Sequence, residues 1–380
     1  MDEELEIAAR IAVSDCLGLL PSERFLIITN PDTEQEMISE ALLKAAKDLG
    51  ARARIVLQPK KTQADYAEDE VIEAIAEGPE AMASVSAGKI GKDRKSLARP
   101  LVASDGKTYD HVFDFCIKGE RRSRAFWSPG ISLDMFRSTV AIDYAWMRGA
   151  ASKLKATIDS AFAISVRSPG GTDLVFGVEG RKAFLDDGDF RERGSGGNLP
   201  AGEVFVSPAL RSAEGEIVFD ASLSCIEGTI VTSEPVACTI AKGFVLDVRG
   251  GEEARLLEAS LRTGIEMASG MKAEGLSPEE CMEYAVNSRH LGEFGIGLNR
   301  KAHISGRMLE DEKVYGTCHF AFGFNYDGDA KAMIHLDCLV KRPSITALMP
   351  DGSELPLMEE GVLVPEMDPE QTRGLPIFTF

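Results

Sequence analysis

The chain has 380 residues and carries 42 lysines and arginines against 61 aspartates and glutamates, which gives a formal net charge of −19. A surface of this sign repels phosphate backbones and anionic lipids, so nucleic acid and membranes are not expected as partners. With 44% hydrophobic residues and no uncharged apolar run near the roughly 18 residues that a membrane helix needs, the sequence predicts a globular protein.

The cysteines and the acidic start of the chain bear on its compartment. Seven cysteines are scattered without CxxC spacing, which favours reduced thiols over disulfides or a zinc knuckle. The first residues, MDEELEIAAR, lack the basic start of a secretory signal. The expected location is therefore the cytoplasm.

The first part of the chain alternates helix and strand patterns. Apolar residues recur with helical spacing over residues 3–20, 33–49 and 67–76, and β-branched or apolar runs predict strands at 24–29, 51–58 and 111–117. This order predicts an α/β domain over residues 1–152. No GxGxxG follows the first strand, so a dinucleotide site is not expected.

Strand patterns dominate after residue 152. Short alternating runs separated by Gly and Pro turns extend to about residue 249, and two helices are predicted over residues 252–270 and 278–288. We therefore predict a strand-rich α+β domain over residues 153–380.

Residues that can bind a metal ion concentrate in this second domain. In MIHLDCLV, strand alternation places His335 and Asp337 on one face. In CHFAFGF it separates His319 from three phenylalanines. Glu293 lies among glycines, and Glu203 begins an apolar strand where an unpaired buried carboxylate would be costly. These five residues are the candidate ligands.

Four segments in order carry a family resemblance: NLPAGEVFVSP, LGEFGIGLN, CHFAFGFNY and MIHLDCLV, preceded by PGGTDL. Together they resemble the signature segments of the aminopeptidase T and aminopeptidase S family of two-metal peptidases. The likeness covers roughly residues 140–340, and the earlier residues match only in α/β texture. It implies an N-terminal α/β domain, a C-terminal metal-binding domain and a homodimer.

The same resemblance implies a hydrolase acting on small peptides. Glu203, Glu293, His319, His335 and Asp337 take the ligand positions for two divalent ions, with zinc, cobalt or manganese as the expected metals. Such a pair of ions activates a water molecule and polarises the scissile carbonyl. Glu293 is the expected general base, and Tyr326 would donate a hydrogen bond to the oxyanion.

Two spacings depart from that family and keep other functions open. Glu203 and Glu293 are 90 positions apart, which is long, and His319 and His335 are 16 apart, which is short. The chain also resembles the related iron-dependent dioxygenases that open dihydroxypyridine rings, which need a triad of two histidines and one carboxylate. Glu293 favours the hydrolase, whereas His290 keeps the dioxygenase open. A non-catalytic small-molecule binding relative is the third alternative.

The remaining candidates have ordinary structural explanations. Cys318 and Cys338 flank the histidine and the aspartate, but alternation turns both towards the apolar side, where they act as small hydrophobes. No GxSxG motif is present, so covalent catalysis is not expected. His111 and His303 are predicted to be packed or surface histidines.

Overall fold

A computed structural model describes residues 2–62 and 65–372. Its strands, in chain order, are β1 Arg24–Thr29, β2 Arg52–Leu57, β3 Ala81–Ser86, β4 Leu101–Val102, β5 Thr108–Tyr109, β6 Arg124–Pro129, β7 Ala163–Arg167, β8 Asp173–Gly177, β9 Phe184–Asp186, β10 Gly196–Asn198, β11 Glu203–Val206, β12 Glu214–Phe219, β13 Ser222–Cys225, β14 Gly228–Val231, β15 Val236–Ala241, β16 Phe244–Arg249, β17 Leu291–Gly297, β18 Thr317–Gly323, β19 His335–Lys341, β20 Ser344–Leu348, β21 Glu354–Glu359 and β22 Val362–Leu363.

The α-helices are α1 Glu3–Ile11, α2 Thr33–Asp48, α3 Asp69–Ala76, α4 Arg94–Ala98, α5 Val112–Asp114, α6 Leu133–Val140, α7 Tyr144–Ile158, α8 Glu252–Gly270, α9 Pro278–Asn287, α10 Met308–Asp311 and α11 Pro369–Thr372. Single π-helical turns follow α1 and α5, and a 3₁₀ turn follows α8. In the described part of the chain, no helix is both long and apolar enough to span a membrane.

The elements form two compact units. The first contains residues up to Tyr144 together with Gly188–Ala201, and the second contains Ala145–Asp187 together with the chain from Gly202 onwards. The predicted cut between residues 152 and 153 lies inside α7. The segment from Gly188 to Ala201 returns to the first unit because β10 pairs with β6 there.

The first unit is an α/β layer structure. Its main sheet has five parallel strands in the order β10-β6-β3-β1-β2, with helices supplied by the connections between them, and β4 and β5 form a separate antiparallel pair. The residues joining sheet and helices form one apolar cluster that includes Leu26, Met82, Val71 and Ile75. The predicted α/β class of this part is confirmed.

One predicted element of this unit is wrong. Residues 111–117 form no strand; instead α5 and the π-helical turn Phe115–Gly119 occupy this stretch. The buried positions explain the difference, because Val112, Phe113, Cys116 and Ile117 recur with helical rather than alternating spacing. All four side chains join the apolar cluster beneath the sheet.

The second unit is built from two antiparallel sheets. One has seven strands in the order β14-β13-β19-β18-β17-β11-β9, and the other has eight in the order β16-β15-β12-β8-β7-β20-β21-β22. The sheets pack through aromatic rings: the Phe176 centroid lies 5.0 Å from that of Phe294, and Phe219 lies 5.8 Å from Phe322. The predicted strand-rich second part, with helices α8 and α9, is confirmed.

Candidate metal centre

The five candidate ligands lie on one face of the seven-stranded sheet. Glu293, Ala321 and Asp337 stand opposite one another across β17, β18 and β19. Cross-strand partners share a face, and alternation then brings His319 and His335 to the same side. The opposite face carries Phe294, Phe320 and Cys338, which pack in the core. The predicted alternation around both histidines is therefore confirmed.

The ligand atoms form two groups that share one glutamate. Glu203, Glu293 and His319 each offer an atom within 4.8 Å of the others, and so do Glu293, His335 and Asp337. Glu293 connects the groups: its Oε1 lies 3.1 Å from Nε2 of His319, and its Oε2 lies 3.6 Å from Nε2 of His335. The distance from His335 Nε2 to Asp337 Oδ1 is 3.3 Å.

Several polar atoms of these groups are buried without a hydrogen-bond partner. They are Glu203 Oε2, Glu293 Oε2, His319 Nδ1 and Asp337 Oδ1. Buried polar atoms are normally satisfied, since each unsatisfied one costs about 1–3 kcal/mol. A divalent cation would satisfy the carboxylate oxygens, and carboxylate with imidazole is a donor set that such ions accept. The residues therefore fit a divalent metal ion.

His335 is oriented for this role. Its Nδ1 lies 2.9 Å from the carbonyl oxygen of Phe324, which can only accept a hydrogen bond. Nδ1 must therefore carry a proton, which leaves Nε2, facing Glu293 and Asp337, as the atom that can bind a metal ion once it loses its own proton. A backbone carbonyl that fixes the tautomer in this way is common behind metal-binding histidines.

The two imidazoles are strongly basic without a metal. Burial alone would lower the pKa of His335, but the Asp337 and Glu293 carboxylates outweigh it and raise that pKa to about 10. Burial likewise opposes the charge on His319, and the hydrogen bond to Glu293 with the nearby Glu203 raises its pKa to about 9. A metal ion must displace these protons when it binds.

Lys313 lies beside the first group, fully buried. Its Nζ is 2.5 Å from Glu203 Oε1, 2.9 Å from Asp186 Oδ2 and 2.7 Å from Glu312 Oε1. Burial opposes its charge, but the three carboxylates outweigh burial and hold the pKa of Lys313 well above its usual range. Burial also raises the pKa of Glu203 to about 8. One oxygen of Glu203 is thus committed to an ammonium, and the other faces His319.

Two glycines make the space that the centre needs. A Cβ on Gly295 would lie 2.1 Å from Cε1 of His319, so only glycine leaves room for the imidazole. Gly323, with a φ of +119°, ends β18 and interrupts the alternation before Tyr326. The tyrosine therefore comes close to the centre, and its ring centroid lies 5.5 Å from that of His335.

Comparison with known proteins assigns the family. A family model described as NicX, 2,5-dihydroxypyridine 5,6-dioxygenase, matches residues 144–346, more than half of the chain, and spans all five candidate ligands. The chain belongs to the NicX family. Among curated proteins, none matches the chain by sequence.

Two solved structures resemble the fold of this NicX-family chain over nearly all of its length. A 2,5-dihydroxypyridine dioxygenase from Pseudomonas putida KT2440 has a TM-score of 0.69 at 16% identity, covering 97% of this chain and 98% of that one. AmpT from Thermus thermophilus has a TM-score of 0.65 at 19% identity, covering 95% of this chain and 99% of that one. At these identities the two likenesses concern the fold alone.

NicX membership corrects the functional prediction made from the sequence. The expected activity was that of a metallo-aminopeptidase, a hydrolase with zinc, cobalt or manganese; the family match instead supports the ring-opening dioxygenase that stood as the alternative. The likeness to the aminopeptidases holds for the fold, as the AmpT structure shows. Glu293 had favoured the hydrolase, but the type of one residue does not select between the two chemistries.

The other histidines of this NicX-family chain lie apart from these groups. As predicted, His303 lies at the surface, with 69% of its side chain exposed, and it contacts Glu310. His111 accepts a hydrogen bond from Phe113 N at Nδ1 and contacts the Gly91 carbonyl with Nε2. In the described part of the chain, His290 is in neither ligand group. It is buried against Phe244, with no partner for either ring nitrogen.

The sequence interpretation missed Lys313 and Asp186. Lysine is rarely fully buried, so nothing in the run EDEKVYG distinguishes Lys313 from its surface counterparts. Asp186 lies in β9, a strand of three residues that no alternation pattern could indicate. Register information was needed, since Asp186 stands opposite Glu203 in the sheet.

Proposed function

We propose that this protein is an iron-dependent dioxygenase that opens the ring of a hydroxylated pyridine such as 2,5-dihydroxypyridine. The observation that carries the proposal is the NicX family match, because it spans β11, β17, β18 and β19, the strands that bear the candidate ligands. The buried, unpartnered carboxylate oxygens on those strands support a resident cation.

We assign the iron to Glu293, His335 and Asp337, with His319 on the second oxygen of Glu293. This set has one imidazole and two carboxylates, so it departs from the triad of two histidines and one carboxylate, and the second imidazole, His319, contacts the other oxygen of Glu293. A ferrous ion with open positions supplies the one-electron chemistry that lets dioxygen react with an organic ring. The Phe324 carbonyl keeps the Nε2 lone pair of His335 directed at the site.

Two further residues balance the charge of the site and bind the substrate. Lys313 fixes one oxygen of Glu203 and offsets part of the negative charge around it. Burial and the nearby Glu293 and Asp337 carboxylates raise the pKa of Tyr326 above its usual range, so the phenol keeps its proton at neutral pH and can donate a hydrogen bond to a ring hydroxyl or its oxyanion. These roles bind and orient the ring, and the ring supplies the electrons for the reaction with dioxygen.

The test combines metal content, oxygen uptake and two variants. Protein purified without an affinity metal is analysed by elemental mass spectrometry, loaded anaerobically with Fe(II) and mixed with 2,5-dihydroxypyridine in an oxygen electrode. We expect iron-dependent oxygen consumption with loss of the pyridine absorbance. Glu293→Ala and His335→Ala should abolish it while their far-ultraviolet circular dichroism stays that of the wild type.

Other results would contradict the proposal. If the iron-loaded wild type consumes no oxygen with any hydroxylated pyridine, the activity is not that of the family. If turnover persists after complete metal removal, the ligand assignment is wrong. An aminoacyl anilide serves as the negative control, and no amine release is expected.

A further inference from the structure

A continuous cluster of aromatic rings adjoins the candidate metal centre. The Phe184 and Phe205 rings are stacked with centroids 5.2 Å apart, and the Tyr326 centroid lies 5.3 Å from that of Phe205. Tyr326 in turn lies 5.5 Å from His335, and Phe324 lies 4.6 Å from the same imidazole. His335 therefore belongs both to the aromatic cluster and to a ligand group.

The cluster stands on the same side of the sheet as the ligands. Phe205 is opposite Gly295 in the pairing of β11 with β17, and Gly295 is opposite His319 in the pairing of β17 with β18. Phe184 extends the row onto β9, which is the edge strand. The rings thus lead from the sheet edge to the ligand groups along one face.

Part of this aromatic surface is open to solvent. Tyr326 is 54% exposed and Phe184 is 37% exposed. Single exposed apolar residues are normal, but here adjoining exposed rings are continuous with a polar, buried site. Aromatic faces of this kind gain most by stacking against another flat ring.

The loop that carries Tyr326 is held in place. Asn325 accepts hydrogen bonds from the backbone N–H groups of Gly328 and Ala330. Arg181 contacts Asp329 at 2.8 Å and Asp327 at 3.6 Å from outside the loop. The phenol is therefore positioned before any ligand arrives, which reduces the entropy lost on binding.

We infer that Phe184, Phe205 and Tyr326 form a stacking surface that selects a flat, hydroxylated aromatic ring and presents it to the metal ligands beside His335. The inference rests on the proposed function for the identity of the ring. It adds that Phe184 and Phe205 determine substrate specificity, although neither belongs to a ligand group. A saturated ring of the same size and hydroxylation lacks the flat face that stacks, and it should bind weakly.

The experiment measures binding without turnover. Isothermal titration under argon gives the Kd of the metal-loaded protein for 2,5-dihydroxypyridine, for a dihydroxybenzene and for a cyclohexanediol. Phe184→Leu and Phe205→Leu remove the ring but keep an apolar side chain of similar length. Phe162→Leu, at a 44% exposed phenylalanine preceding β7, is the matched control.

Wild-type protein should bind both flat rings at least about five-fold more tightly than the saturated ring, since a stacked pair contributes roughly 1 kcal/mol. Each cluster variant should lose most of that preference at unchanged metal content, with KM for the pyridine raised more than kcat is lowered. Phe162→Leu should match the wild type.

The outcomes separate this inference from the proposed function. Flat-ring preference that is lost in the variants, without oxygen uptake by the wild type, supports the stacking surface and overturns the dioxygenase. Oxygen uptake by the wild type, with the same Kd and KM in both variants as in the wild type, supports the dioxygenase and overturns the stacking surface. The inference also fails if the wild type binds no flat ring or binds the saturated ring equally well.

Discussion

Lys313 keeps a positive charge in the interior because three carboxylates surround it. Asp186, Glu203 and Glu312 all lie within 2.9 Å of its ammonium. Removing one member of a buried ionic cluster costs more than the cluster itself contributes, because the partners stay desolvated without a counter-charge. The cluster therefore makes Lys313 a strong determinant of stability.

We predict that Lys313→Met lowers the free energy of unfolding by about 3–5 kcal/mol, the usual cost of leaving buried charge uncompensated. Urea titration at pH 7 with a chelator present measures this without any contribution from metal. Lys341→Met, at an exposed lysine that ends β19, should change stability by less than about 0.5 kcal/mol. Equal effects of the two substitutions would show that the cluster contributes nothing specific.

His290 is the second residue whose burial has a measurable consequence. Burial lowers its pKa to about 4, and both ring nitrogens lack partners. In the unfolded chain its pKa is about 6.5, so between pH 6.5 and pH 4 the unfolded state binds more protons than the folded state. Stability is therefore lost as the pH falls through this window.

We predict that His290→Phe flattens this dependence. Relative to the variant, the wild type should lose roughly 2–3 kcal/mol between pH 7 and pH 4, because each pKa unit corresponds to about 1.4 kcal/mol. Denaturant titrations of both proteins across this range give the difference directly, and the carboxylates common to both cancel. A difference that does not vary with pH would contradict the burial of a neutral imidazole.

At the scale of the element, a glycine of β17 makes room for one of the candidate metal ligands. Gly295 faces His319 across the β17–β18 pair, and its missing side chain leaves the space that the imidazole occupies. A glycine inside a strand usually weakens the sheet, and it is often found where another group comes close to the backbone. At Gly295 that group is the imidazole of His319. The strand therefore positions His319 as well as supplying Glu293.

We predict that Gly295→Ala displaces His319 and weakens metal binding at least about ten-fold, a shift of roughly 1.4 kcal/mol. The added methyl would lie 2.1 Å from the ring, far inside van der Waals contact. Gly270→Ala, at a glycine with nothing within 4 Å of the added atom, is the matched control. Competition with a chromophoric chelator measures the affinity, and the prediction fails if both alanine variants bind as the wild type does.

For the whole molecule, metal binding and stability are linked. The unpartnered carboxylate oxygens are a cost that only the folded, metal-free protein carries. A ligand present at about 100 times its Kd stabilises the folded state by roughly 2.7 kcal/mol. Bound metal is therefore expected to raise the thermal stability of the folded protein.

We predict that a chelator lowers the Tm of the wild type by about 5–10 °C, since roughly 1 kcal/mol corresponds to 2–4 °C in a domain of this size. Differential scanning calorimetry with and without chelator measures the shift. His335→Ala should show a much smaller shift, because it lacks a ligand. Equal shifts in both proteins would place the stabilising metal elsewhere.

The expected homodimer stays a prediction that sedimentation equilibrium would test.

The sequence by itself determined the local features of this protein. Alternation placed His335 and Asp337 on one face of β19 and His319 opposite the phenylalanines of β18, because side-chain direction in a strand depends only on position. Helix α8 was predicted with its bounds, since its apolar spacing and flanking glycines are local signals. The two-part α/β and strand-rich organisation also followed from pattern alone.

Only the tertiary structure decided which of these residues meet. Lys313 joins Asp186 and Glu203, and Phe184 joins Phe205 and Tyr326, through strand registers that no local pattern encodes. The stretch 111–117 was predicted to be a strand, because β-branched and aromatic residues are common in strands. In the structure its buried side chains instead have helical spacing and pack into the apolar cluster of the first unit. The ligand types were visible in the sequence, but their chemistry depends on neighbours brought from distant parts of the chain.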